Sequence, residues 1–119
     1  MEGIRDQMMK LGSMAWILLV IAGVLEVAWA VGMKYSQGFT RPVASGVTIL
    51  LMVLSFVFLS QAVRMIPLGT AYAVWTGIGA LGTAAAGIFL FQEPAGAARL
   101  FFMFLVLAGI TGLKLFSQG

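Results

Sequence analysis

The sequence predicts an all-α membrane protein with four transmembrane helices, and three observations lead there. Of 119 residues, 61% are hydrophobic and 9% charged, and the mean hydropathy is +1.06. Ordinary soluble domains carry about 25% charged residues, and a chain this short buries too little of its surface to hide such an excess from water. The apolar residues also fall into four runs of about 20, the length a helix needs to cross the hydrocarbon core. Finally, the runs are parted by short segments rich in proline, glycine and charge, the usual breakers of regular structure.

The first span covers residues 14–33 and is interrupted only by Glu26. Gly38 and Pro42 punctuate the polar stretch that follows it. A second span over 43–63 stops at Arg64 and Pro67, and a third over 68–91 ends before Gln92, Glu93 and Pro94. The fourth covers 95–116, with Arg99 near its start and Lys114 near its end, where long cationic side chains can snorkel to the two interfaces. Such short connections predict antiparallel neighbours in a four-helix bundle. The domain proper is therefore 14–119. Residues 1–13, whose Glu2, Arg5, Asp6 and Lys10 cancel in charge, are expected to be a disordered extension or one foreign to the native chain.

Ala28-Trp29-Ala30 imitates a leader cleavage site, but the run is of full spanning length, carries Glu26 and precedes three more spans. With no cysteine and no histidine, disulfides, thiolate or imidazole metal sites and Cys- or His-based catalysis are excluded. Seven cations scattered singly form no patch for nucleic acid. No nucleophile–base pair or cofactor motif points to an enzyme, so no cofactor is expected beyond protons as a coupling ion. Across four spans the cations divide almost evenly, four against three: Arg5, Lys10, Arg64 and Lys114 share one side, and Lys34, Arg41 and Arg99 the other. The positive-inside rule needs a clear excess. Both orientations are open to this chain.

Glu26 lies about 4 Å from the middle of its span at 1.5 Å per residue. A carboxyl at that depth costs on the order of 2.5–3.5 kcal/mol, and such residues mark ion or proton paths. No other acid falls inside a span, and Lys34 and Lys114 lie near the surfaces. Its partner must be a proton, a cationic substrate or a second copy of the chain. Helical spacing puts Ala22, Gly23, Trp29 and Ala30 on the Glu26 face, leaving open volume and an aromatic wall suited to a planar or quaternary cation. Tyr72, Trp75 and Thr76 form a polar-tipped face of the third span. Ser55, near the middle of the second, is placed to donate to a carboxylate or to its own helix backbone.

Gly77, Gly79 and Gly82 spell G-x-G-x-x-G inside an apolar run, without the strand that dinucleotide binding requires. They read instead as a candidate hinge, where clustered glycines permit close packing or bending. Ala108 and Gly112 give the fourth span a small-xxx-small pair, a candidate dimer seam.

The blocks GVLEVAWAVGMKYSQGFTR at 23–41, SFVFLSQAVRMIPLGTAYAVWTGIGALG at 55–82 and AGITGLKL at 108–115 resemble the small multidrug resistance family of bacterial transporters. Trp29, Trp75-Thr76 and Lys114 favour its guanidinium-exporter branch. The resemblance implies a bacterial inner-membrane antiporter that exchanges protons for guanidinium and small guanidinyl or quaternary ammonium cations. The alternatives are a broad quaternary ammonium exporter or a proton channel. It also implies that Glu26 is the shared proton and substrate carboxylate, that Gly23, Trp29, Ser55, Tyr72 and Trp75 surround or tune it, and that two chains of opposite orientation form an antiparallel homodimer. Helices one to three would line the path, and the fourth would supply much of the dimer contact.

Overall fold

The computed structural model describes residues 2–116. Within them the chain forms four helices: α1 (Glu2–Tyr35), α2 (Pro42–Ala62), α3 (Leu68–Phe91) and α4 (Ala97–Phe116). All four are long and apolar enough to cross a membrane. The third agrees with its expected span at both ends, and the second and fourth within two residues. Pro42 opens α2 rather than preceding it. Proline suits the first helical turn, where its missing N–H has no partner to lose.

Helix α1 departs from expectation. It begins at Glu2, so residues 2–13 continue the first helix instead of lacking order. Its 34 residues correspond to about 51 Å of helix, against about 30 Å of hydrocarbon. The charged N-terminal third therefore projects beyond the span that starts near Met14.

The connections are closed by their own hydrogen bonds. Ser36, fully buried, donates to the Met33 carbonyl and accepts the Phe39 N–H. Its carbonyl takes the N–H groups of Thr40 and Arg41. Gln37, Gly38 and Phe39 all have positive φ, and Gly38 meets that demand at no steric cost. Gln92 ends α3 in the left-handed region, with its N–H and that of Glu93 on the Gly87 carbonyl.

The helices do not surround one axis as the expected bundle would. The described chain is a flattened body of 54 × 36 × 19 Å. Helix α1 packs along both α2 and α3, which scarcely touch each other, and the α4 backbone approaches only α3. Residue size accounts for this arrangement. Hydrophobicity cannot select a packing face inside lipid, so helices associate where small residues let backbones approach. Ala15, Ala22 and Gly23 are buried on α1, as are Ala71, Gly79 and Gly87 on α3. Gly23 seats Ile78, Gly82 seats Val27, and Gly32 seats Thr48.

Gly77 does the same for α4, whose Ile110 would lie 2.7 Å from a Cβ added there. No residue of α4 is buried. A second tether is Lys114, whose Nζ stands 4.8 Å from the Trp16 ring centroid on α1. Gly77→Val is therefore expected to push Ile110 out and loosen α4, at about 1–3 kcal/mol for overpacking. Gly69→Ala, with nothing within 4 Å of the added methyl, is expected to be neutral. Denaturation midpoints in mixed micelles check the pair, and equal midpoints would contradict the seating of α4.

Candidate functional site

The site is built where α1, α2 and α3 converge. Glu26 is half-buried on α1, and its carboxylate rests directly on Gly79 of α3, where any Cβ would overlap it. Gly79 falls one helical turn after Trp75 and so shares its face. Only glycine leaves room for a carboxylate on this helix. Gly23, three residues before the acid, is closed over by Ile78.

Ser55 makes neither of the bonds its position on the sequence suggested. Its hydroxyl donates to the Ala22 carbonyl on α1 at 2.7 Å and accepts the Trp75 indole N–H at 3.0 Å. Spacing within α2 could not reveal this, because the acceptor lies on another helix. Both bonds are buried, and Ser55 is fully so. Ala22 is the residue four before Glu26, so its carbonyl is the one that the Glu26 N–H meets in an α-helix. The serine thus anchors the turn that carries the acid and leaves the carboxylate free.

Two polar atoms at this place have no protein partner. Glu26 Oε1 and Trp29 Nε1 are both buried and unbonded. Buried polar groups are nearly always hydrogen-bonded, so an orphaned acceptor and an orphaned donor on consecutive turns of one helix fit a ligand that supplies the missing contacts. A planar cation with several N–H donors would satisfy the carboxylate.

Aromatic rings form the wall beside them. Trp29 and Phe56 have centroids 6.4 Å apart, Phe56 and Trp75 5.7 Å, and Trp75 and Tyr72 5.5 Å. Trp75 is 7% exposed, whereas Tyr72 and Phe56 are open at 56% and 46%. The structure thus brings Gly23, Glu26, Trp29, Ser55, Tyr72 and Trp75 into one neighbourhood, while Thr76 is exposed. Phe56 was missed, although its place after Ser55 could have flagged it.

Helix α3 is continuous through Gly77, Gly79 and Gly82, and each is the seat of a side chain from α4 or α1. Ala108 and Gly112 lie away from Glu26: Ala108 is exposed, and nothing stands within 4 Å of a Cβ added to Gly112. Among the described residues no group of three or more His, Cys, Asp or Glu side chains could hold a metal.

Four membrane-length helices with one embedded carboxylate in an aromatic cleft define a multi-pass membrane protein of the transporter class. The chain belongs to the small multidrug resistance family, whose model, Small Multidrug Resistance protein, matches residues 14–106. It is 58% identical over 102 residues to a guanidinium exporter of Citrobacter freundii, covering 86% of this chain and 97% of the relative. A guanidinium exporter of Yersinia pseudotuberculosis is 58% identical over 104 residues, covering 87% and 100%.

Replacing Ser55 with Ala removes the acceptor of a buried indole and the cross-helix bond to Ala22 together. The expected cost is about 1–2 kcal/mol, because intramembrane hydrogen bonds average near 0.6 kcal/mol each and a stranded indole adds to their loss. Denaturation in mixed micelles should show that loss together with altered tryptophan emission. An unchanged midpoint and spectrum would mean that the serine does not join the three helices.

Proposed function

We propose that the protein exports guanidinium, and small guanidinyl or quaternary ammonium cations, in exchange for protons across the bacterial inner membrane. The observation that carries this reading is the pair of unpartnered polar atoms, Glu26 Oε1 and Trp29 Nε1, buried at the aromatic cleft. The relatives named guanidinium exporters at 58% identity support the choice of cation.

In this proposal Glu26 is the shared carboxylate. Guanidinium is planar, singly charged and forked, so it pairs with a carboxylate through parallel N–H···O bonds. Its faces suit the rings of Trp29, Phe56 and Trp75. Ser55 holds the backbone of the Glu26 turn, and Tyr72 lies at the open edge of the cleft. The working unit is an antiparallel homodimer, inserted in both orientations because the cations of the chain are almost evenly divided. Two Glu26 carboxylates then face one cavity and titrate as a coupled unit. Protons and cation compete for them, and a dimer that reorients only when loaded exchanges one for the other. Gly77, Gly79 and Gly82 are the hinge of α3 in this movement, with side chains of α1 and α4 seated against their backbone. Ala108 and Gly112 offer the bare surface of α4 to the second copy.

Two other readings give different outcomes in the same assay. A broad quaternary ammonium exporter would carry large aromatic cations as well as guanidinium. A proton channel would pass protons with no substrate present. In proteoliposomes under an imposed pH gradient, the wild-type chain is expected to accumulate guanidinium. Glu26→Gln is expected to fall to the level of empty vesicles while remaining assembled by size-exclusion chromatography. Full coupled transport by that variant would overturn the role of Glu26, and equal flux of large aromatic cations would widen the substrate class.

A further inference from the structure

Away from Glu26, charge gathers at the membrane end where α1 and α3 finish and α4 begins. Lys34, Glu93 and Arg99 line one cavity there of about 180 Å³. Glu93 is already engaged, with its Oε1 2.8 Å from Arg99 Nη2. Its carboxylate also lies on Gly87, where a Cβ would overlap it. Arg99 donates in addition to the Pro94 carbonyl at 3.1 Å. Among the described residues Lys34 forms no ion pair; its Nζ stands 5.4 Å from the Phe91 ring centroid. Two cations and one carboxylate leave this pocket with a net positive charge at the level of the lipid headgroups.

A second cavity, of about 260 Å³, shares Ala84 and Arg99 with the first. It runs between α3 and α4 along Leu81, Phe102, Met103 and Val106, and Arg99 is its one charged residue. Val106 is seven residues into α4 from Arg99, about 10 Å along the helix axis. A basic pocket at the surface thus passes, at Arg99, into an apolar groove descending into the hydrocarbon.

We propose that this composite site holds an anionic phospholipid, with its phosphate between Lys34 and Arg99 and one acyl chain in the α3–α4 groove. Each half of the site matches one half of such a molecule. The two cations disfavour a cationic substrate, and a free phosphate ion would leave the groove unused. Basic pockets between helix ends are suited to acidic headgroups, each Lys or Arg contributing about a fivefold preference. By bridging α1 and α4, which otherwise meet through Lys114 and Trp16, the lipid would help to hold the outlying helix. The site stands apart from the transported cation, because neither cavity is lined by Glu26, Trp29 or Trp75.

The test is lipid binding to the purified chain in neutral detergent, followed by native mass spectrometry and by thermal unfolding. Dioleoyl phosphatidylglycerol is expected to bind at least about fivefold tighter than dioleoyl phosphatidylcholine and to raise the unfolding temperature more. Lys34→Gln is expected to abolish that preference and Lys34→Arg to keep it. Met103→Trp, which fills the groove and leaves the charges intact, is expected to weaken both lipids. Equal affinity for the two lipids, an undiminished preference in Lys34→Gln, or the same stabilisation by inorganic phosphate alone would each overturn the proposal. Should Lys34→Gln fail to fold, the phosphatidylglycerol preference of Lys34→Arg and the groove-filled variant decide the matter.

Discussion

Three of the four helices meet through the hydroxyl of Ser55. It gives its proton to the Ala22 carbonyl of α1 and takes the indole N–H of Trp75 from α3, while α2 and α3 otherwise barely touch. In water such bonds would compete with solvent. Inside hydrocarbon an unmade bond to a carbonyl or an indole has no replacement, so a buried hydroxyl with two partners fixes geometry as well as contributing energy. That oxygen ties α2 to the turn of α1 that carries Glu26 and holds the Trp75 indole in the wall beside it.

The glycines of α3 extend the same logic to close packing. Helix α3 runs unbroken through Gly77, Gly79 and Gly82. What the missing side chains provide is depth. Gly79 accepts a carboxylate and Gly82 a valine from α1, whereas Gly77, on the other side, accepts an isoleucine from α4. At 100° per residue, positions 77 and 79 point in nearly opposite directions. One short cluster therefore sets α3 against the site on one face and against α4 on the other.

How much of this was legible in the sequence follows from what a bilayer makes visible. The spans could be read because hydrocarbon demands unbroken apolar length, and the third, expected from Leu68 to about Phe91, agrees with α3. Glu26 stood out because an acid in that setting is costly. The flattened arrangement could not be read, because helices apolar on every side give no contrast of polarity to mark the packed face. Residue size marks it instead, and size acts in pairs: Gly23 has meaning only opposite Ile78, and Gly79 only opposite Glu26. The helical extension at residues 2–13 escaped for a different reason. Its mixed charges suggested no core to pack on, yet a helix already nucleated in the membrane needs only propagation to continue outward.

Under the proposed exchange of cation for protons, this geometry leaves the site of a single chain open on one side. Helix α4 stands on the face of α3 opposite Gly79 and so cannot close the cleft around Glu26. Tyr72 and Phe56 are left about half exposed at its edge. A cation held there by one chain would have hydrocarbon on its open side, where its charge is poorly solvated, and a lone carboxylate could hold either a proton or the cation with nothing to couple the choice. A second chain placed across the opening would supply the missing wall and a second carboxylate together. No positive-inside bias prevents that chain from being inserted upside down, because the basic residues are divided almost equally between the two ends. The scarcity and even spread of charge, which at first mark only a membrane protein, are thus also the conditions under which two copies of one short sequence can complete each other.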